Sequence, residues 1–220
     1  MKDDKTRLSR VSLFRGIDFA DLDVVIRCLN AKKAAYKKKD IILMEGQSVS
    51  SVGIVLSGNV QVIKEDFMGN RNILAEIPAG SLFAETFACV QTPDLPVSVI
   101  CSADCEVLWI DFRRIISTCS NACIFHTKLI ENMLMILASK NILLNQKIEH
   151  ISKRTTREKL LSYLSDESYK QGKNEFDIPY NRQQLADYLC VDRSALSSEL
   201  CKLQNEGILQ FHLNHFILIQ

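Results

Sequence analysis

The residues of this chain that could do chemistry gather near its C-terminal end. Arg193, Ser194, Ser197, Ser198 and Lys202 fall on one side of a helix predicted over residues 193–205. Arg and Lys can pair with phosphate or with the edge of guanine, and Ser hydroxyls donate and accept without discriminating. The other side carries Ala195, Leu196, Leu200 and Leu203 at helical spacing. A shorter helix is predicted over residues 182–189, with Leu185, Ala186 and Leu189 on one face, and Cys190-Val191-Asp192 is the turn between the two. Asn181 is a good N-cap, so Arg182 and Gln183 stand where polar groups and backbone N–H meet a phosphate. A second helix with a small polar face is what major-groove reading needs. Gly207 stops that helix, and residues 208–219 alternate as a strand pair, a wing. The same spacing would serve a helical hairpin in a core. Small Ala186 at the helix crossing, the Asn181 cap and the wing favour a helix-turn-helix that reads DNA.

Other chemistry is sparse. The eight cysteines include no C-x-x-C pair, so neither a zinc ribbon nor a thioredoxin-like motif is supported. Cys119-x-x-x-Cys123-x-x-His126 shares one helical face. It is the best metal or redox candidate, although small cysteines on a core face are the plainer reading. No acid–base pair, phosphate loop or metal site is evident, so no catalytic residue, metal or cofactor is expected and the chain does not read as an enzyme.

Net charge is +1, from 27 Lys and Arg against 26 Asp and Glu, and 47% of the residues are hydrophobic. Residues 151–220 hold nine basic and nine acidic side chains. DNA affinity must therefore come from local cations such as Lys153, Arg154, Arg182, Arg193 and Lys202, and from dimerisation. No apolar run approaches a membrane span, and the charged start Met1-Lys2-Asp3-Asp4-Lys5 lacks a signal-peptide core. A cytoplasmic protein with reduced cysteines is expected.

These residues need elements to position them. Residues 9–35 read as helical, with Asp18 or Asp21 as a cap, and Lys32-Lys33 and Lys37-Lys38-Lys39 as a solvated helix end and loop. Residues 40–111 hold short β-rich runs such as Val52-Gly53-Ile54-Val55-Leu56, separated by turn signals that include Met68-Gly69-Asn70. They predict an antiparallel barrel or sandwich, interrupted by a short helix at residues 82–88. Residues 115–151 read as one long helix without Gly or Pro. Along it Ile130, Leu134, Leu137, Asn141, Leu144, Ile148 and Ile151 are spaced 4, 3, 4, 3, 4, 3, a coiled-coil seam in which Asn141 would fix register. A second stripe, Leu129, Met133, Ile136 and Leu143, could pack on the barrel. Dimerisation is expected over a single buried helix. Ser152 and Lys153-Arg154 suggest a hinge, and residues 155–169 another amphipathic helix. The predicted division is 1–114, 115–151 and 152–220.

Barrel, long dimer helix, hinge and winged helix-turn-helix, in that order, resemble the Crp/Fnr family of bacterial transcription regulators over about residues 10–219. The resemblance is carried by the reader helices and by the glycine pattern Glu45-Gly46-Gln47, Leu56-Ser57-Gly58-Asn59-Val60 and Pro78-Ala79-Gly80-Ser81-Leu82-Phe83-Ala84-Glu85. It implies an α+β fold: an N-terminal antiparallel β jelly roll like that of cyclic-nucleotide-binding domains, a dimerisation helix, and a C-terminal winged helix-turn-helix. It also implies an effector pocket at Ala84, Glu85 and Thr86, at Leu95, Pro96 and Val97, and at Leu137 and Ala138 of the long helix. In cyclic-nucleotide-binding members a Gly-Glu pair and an Arg-Ser pair carry sugar and phosphate. Here these are Ala84-Glu85 and Leu95-Pro96. A buried phosphodiester without the arginine would be left unpaired, and Leu137-Ala138 stands where the cyclic-AMP protein has Thr-Ser for the base. Cyclic AMP is thus not the expected effector. Glu85 faces the cavity or, equally, caps nearby N–H groups. With Cys28 alone in the first 80 residues, a four-thiolate iron–sulfur cluster there is excluded.

Many members carry Arg-Glu-x-x-x-Arg on the reader helix. Arg193 matches the first Arg, while Ser194 and Ser198 replace the Glu and the second Arg, so the operator should differ from that of the cyclic-AMP protein. The expectation is a homodimeric regulator of a palindromic double-stranded DNA operator, acting with RNA polymerase, answering an unidentified small-molecule effector and using no membrane. The competing expectation is a nucleotide- or small-molecule-binding module that acts on a protein partner.

Overall fold

In a computed structural model, residues 2–65, 71–117 and 124–219 are described. Two compact units emerge, residues 1–138 and 139–220, and the division falls within one helix.

The first unit begins with α1 (Lys2–Leu8), a 3-10 turn at Ser12–Phe14 and α2 (Leu22–Cys28). The strands follow: β1 (Lys32–Tyr36), β2 (Ile41–Leu43), β3 (Ser51–Ser57), β4 (Asn59–Glu65), β5 (Arg71–Pro78), β6 (Leu82–Phe83), β7 (Ser98–Cys101) and β8 (Cys105–Asp111). Helix α3 (Glu85–Val90) interrupts them, and α4 (Phe112–Ile116) and α5 (Ile124–Ile151) come after. The strands make two antiparallel four-stranded sheets, ordered β1-β8-β3-β6 and β2-β7-β4-β5.

Residues of both sheets share one core: Val55, Phe83, Cys105 and Val107 from the first, Val60, Val99 and Cys101 from the second. The outer face of the first sheet is covered as well. There Val52, Ile54 and Leu56 of β3 and Leu108 and Ile110 of β8 pack with Leu13, Phe14, Leu22, Leu29, Leu129 and Met133. Strands buried on both faces read as unbroken apolar runs, which is why the sequence of β3 does not alternate. Gly53 is required inside that strand, because a Cβ there would lie 2.2 Å from the Phe83 ring.

The N-terminal reading needs two corrections. Lys32 and Lys33 are not a helix end. They belong to β1, which pairs with β8 from Lys32 opposite Trp109 to Tyr36 opposite Cys105. Lys33 Nζ lies 3.3 Å from Glu106, and Lys37 Nζ donates to Asp104 at 2.9 Å, so part of the basic patch is spent on the barrel. Nor is the region 115–151 one helix. Asp111 caps α4 by accepting the Arg113 N–H, and extended Ser117 ends it. Residues 118–123, with Cys119 and Cys123, lie outside the described residues, as does the Met68-Gly69-Asn70 turn.

Helix α5 carries two apolar stripes of different fate. Leu129 and Met133 are buried in the core of the first unit, with Ile136 and Leu137 packed against it. Asn132 donates to the carbonyls of Leu13 and Arg15, both at 2.8 Å. Leu134, Leu144 and Ile148 of the seam stay 62%, 61% and 57% exposed within one chain, and Leu143 is exposed too. Asn141 accepts from Asn145 at 2.9 Å.

The second unit continues with α6 (Thr156–Gln171), β9 (Glu175–Asp177), α7 (Arg182–Leu189), α8 (Arg193–Asn205), β10 (Leu209–His212) and β11 (His215–Leu218). The three strands form one sheet, ordered β10-β11-β9. Its core holds Leu160, Leu164, Phe176, Leu185, Ala186, Leu189, Leu196, Leu200, Leu203 and Phe216. Among the described residues no helix is long and apolar enough to cross a membrane.

Candidate nucleic-acid interface

The reader is assembled by its caps. Asn181 Oδ1 accepts the Gln184 N–H at 3.0 Å, and Gln184 Oε1 accepts the Asn181 N–H at 2.8 Å, a reciprocal capping box at the start of α7. Cys190 ends α7 in the left-handed region at φ 52°, its N–H returning to Ala186 and Asp187. Asp192 then opens α8 by accepting the N–H groups of Ser194 at 2.8 Å and Ala195 at 3.0 Å. Ala186 is fully buried where the two helices pack.

This geometry sorts the polar candidates of α8. Leu196, Leu200 and Leu203 are fully buried, whereas Arg193, Ser194, Ser198 and Lys202 are exposed and Ser197 is half-buried. Ala195, read as apolar-side, lies on the exposed side. Arg193 stands at the first position of the helix. The Ser194 hydroxyl donates to the Asp192 carboxylate, and Ser197 donates back to the Arg193 carbonyl at 2.9 Å. The Ser194 hydroxyl first, then the Ala195 and Ser194 N–H groups, hold the Asp192 carboxyl below the usual carboxylate range. Lys202 Nζ lies 3.6 Å from Glu199.

On α7, Gln183 is exposed and donates to Asp187 at 2.8 Å. Arg182 is placed differently from a free phosphate ligand. Its guanidinium lies over the Phe211 ring at 5.0 Å and the Phe216 ring at 6.0 Å, and it donates to the Leu213 carbonyl at 3.4 Å. Burial lowers its pKa from the ordinary arginine value, and a guanidinium stays charged there. Arg182 thus ties α7 to the wing. The wing itself is β10 and β11, with His212 opposite His215 and Leu213 in the left-handed region at φ 55°.

Two supports are absent from the sequence reading. Arg157 of α6 donates to Glu206 at 2.9 Å and lies 3.5 Å from Glu199, fastening α6 to the far end of α8. His150, at the end of α5, is 3% exposed. Its Nδ1 pairs with Ser162 Oγ at 2.9 Å, and it lies edge-on to Tyr163 with ring centroids 5.8 Å apart. Tyr180 and Tyr188 stack beside it, and burial pushes the Tyr188 hydroxyl up to about 12. The first joins Arg157 to Glu206, 49 positions away. The second joins His150 at the end of α5 to Ser162, 12 positions away on the next helix, which no local periodicity records.

The effector residues are less uniform. Leu95 and Val97 sit in the apolar core, and Leu137 packs against it. Thr86 and Pro96 are exposed, as is Ala138. Glu85 is 4% exposed, and its Oε1 accepts from Thr86 at 3.4 Å. Ala84 keeps a left-handed φ of 62°, the conformation glycine adopts freely. Open cavities among the described residues include one of about 350 Å³ beside Ser48, Ala88 and Arg113 and one of about 250 Å³ beside Tyr36, Ser57 and Cys105. Neither is lined by a residue expected of the effector pocket. His126 is buried in α5, while the two cysteines of its motif lie outside the described residues.

Each unit contains a match to a known domain. Residues 33–121 match the cyclic nucleotide-binding domain, and residues 158–220 match the Crp-like helix-turn-helix domain. The chain is a Crp/Fnr-type DNA-binding transcription regulator. The fold of this regulator is shared with solved structures. The c-di-GMP-responsive global regulator CLP of Xanthomonas campestris is 16% identical over 92% of this chain and 100% of its own, with a TM-score of 0.62. A CooA mutant from Carboxydothermus hydrogenoformans is 20% identical over 87% and 85%, at 0.59. FixK2 from Bradyrhizobium japonicum is 19% identical over 86% and 93%, at 0.53. No curated protein matches the regulator by sequence.

Proposed function

We propose that this regulator is a homodimer that reads a two-fold symmetric operator through α8 and is controlled by an effector other than cyclic AMP. The observation that carries the reading is the division of α8: three fully buried leucines on one side, with Arg193, Ser198 and Lys202 exposed on the other. Arg193 makes the principal base or phosphate contact, Ser197 and Ser198 line the groove face, Lys202 and Gln183 serve the backbone, and Arg182 holds α7 against the wing. Ser194 lies on the same face, its hydroxyl given to the Asp192 cap. With bulk charge balanced, two readers on one duplex supply the affinity that one lacks.

The exposed seam supports the dimer. Leu134, Leu144 and Ile148 are too apolar to be left in water along one helix edge, and Ile130, Leu137 and Asn141 continue their spacing. Against cyclic AMP stands the chemistry at Leu95 and Pro96. The family's phosphate arginine is replaced there by a residue of the apolar core, which offers a phosphodiester no cation. Residues 1–114 form the sensing part, 115–151 the dimerising segment and 152–220 the reading part. Effector binding shifts the paired helices and with them the readers. The regulator works in the cytoplasm and acts through RNA polymerase.

Selection from a random duplex pool tests this. Enrichment of a palindrome whose half-sites lie about one turn apart, ~34 Å, is expected. Recovery of no symmetric site, with and without cell extract, would refute it.

A further inference from the structure

Cys101 closes β7 and Cys105 opens β8. The two strands lie in different sheets, β7 between β2 and β4, β8 between β1 and β3. The turn Ser102-Ala103-Asp104 carries the chain from one sheet to the other, and the two thiols meet behind it. Their sulfurs are 3.1 Å apart, about 1 Å beyond a disulfide bond. Both residues are buried, at 1% and 3% exposure, among Val55, Val60, Val99 and Val107.

The approach is enforced from several sides. The Cys101 N–H donates to the Asp40 carbonyl at 2.9 Å, and its carbonyl accepts from Lys39 at 2.8 Å. Asp104 accepts the Lys38 N–H and the Lys37 ammonium, each at 2.9 Å. Gly58 presses on the turn so closely that a Cβ would meet the Asp104 carbonyl at 2.2 Å and the Cys105 Cβ at 2.8 Å. Cys105 is among the residues that line the 250 Å³ cavity, with Tyr36, Lys37, Ser57, Asp104 and Glu106, whereas Cys101 is not.

We propose that Cys101 and Cys105 are a peroxide-reactive dithiol that closes to a disulfide joining the two sheets. The oxidant is a small hydroperoxide entering through the cavity. The Cys105 sulfur attacks one peroxide oxygen, the O–O bond breaks, water leaves, and Cys105 becomes a sulfenic acid. The Cys101 sulfur then attacks the Cys105 sulfur. The S–O bond breaks, the hydroxide departs with the Cys101 proton as a second water, and the S–S bond forms. Two thiols have lost two hydrogens, and hydrogen peroxide has become two waters. Burial and the hydrogen bond shared with Cys105 push the Cys101 thiol up to about 12, which disfavours it as the first nucleophile and leaves that attack to Cys105. A dithiol reductant restores the pair. The site is independent of DNA reading and adds a redox input to the sensing domain.

The test uses the full-length chain. It is treated with hydrogen peroxide while folded, then unfolded, alkylated with iodoacetamide and digested with trypsin. The peptide 72–113 holds Cys89, Cys101 and Cys105. Three alkyl groups are expected on it before peroxide. Afterwards one is expected, at Cys89, with the loss of two hydrogens, and dithiothreitol reverses the change. In Cys101→Ser, Cys105 should stall as a sulfenic acid that dimedone traps, and Cys89→Ser should still form the bond. Retention of all three alkyl groups after peroxide, or a bond that appears only once the chain is unfolded, overturns the proposal. The wild-type readout stands even if a variant fails to fold, and it does not depend on whether the protein binds DNA.

Discussion

Asp192 holds Ser194 twice, through the Ser194 N–H at 2.8 Å and through its hydroxyl. The first turn of the reader helix is therefore satisfied by its own carboxylate, and the Ser194 hydroxyl is already committed. Arg193, one residue earlier, is exposed. Arg193→Ala should raise the Kd for the selected duplex about tenfold or more, the range of a lost bidentate contact. Ser194→Ala should change it by less than about threefold, since the backbone cap survives. Fluorescence anisotropy at fixed salt measures both.

Acid should weaken the reading unit. The carboxyl of Asp192 is held low by Ser194, that of Glu158 by the Thr155 and Arg154 N–H groups, and that of Glu206 by Arg157. A carboxyl whose folded pKa is depressed binds fewer protons folded than unfolded. Its contribution is thus complete above the unfolded value, about 4, and is lost as pH falls through the folded value. Thermal unfolding should show a midpoint steady from neutral pH to about 5 and falling below about 4. Asp192→Asn should make that fall shallower. A midpoint insensitive to acid would contradict the cap assignments.

Two backbone positions in the barrel should respond in opposite directions. Ala84 sits in the left-handed region, which costs a non-glycine residue about 1 kcal/mol. Ala84→Gly should therefore raise stability by roughly that amount. Gly53→Ala should lower it by about 1–3 kcal/mol, because its Cβ would strike the Phe83 ring. Urea unfolding of the full chain reads both.

The seam should be sensitive to a single charge. Leu144→Glu or Leu134→Glu places a carboxylate at a coiled-coil core position, and each should convert a species of twice the chain mass to one of the chain mass in light scattering. Asn141→Leu should keep the assembly and raise its stability, with looser control of register.

Much of this architecture was legible in the sequence because it rests on periodicity. The stripe of Leu196, Leu200 and Leu203, the Asn181 cap and the short β runs all announce themselves locally. What stayed hidden rests on pairing across distance or on residues that do not advertise their conformation. Lys32 and Lys33 read as a solvated helix end because only the register against Trp109 makes them a strand. Ala84, Cys190 and Leu213 hold left-handed turns without being Gly or Asn. Arg182 reads as a phosphate ligand because its stacking partners, Phe211 and Phe216, lie about thirty residues away. The sorting of Ser194 from Arg193 required the position of a carboxylate that sequence could mark only as a turn residue.

The central claim is that two copies of α8 read one duplex at a fixed spacing. It is tested most directly by titrating the full-length protein against its selected duplex and against the same duplex with five base pairs inserted between the half-sites. Half a turn of rotation puts the second half-site on the opposite side of the helix, so affinity should fall at least tenfold, with the salt dependence reduced toward that of a single reader. Equal affinity for both duplexes would contradict the account.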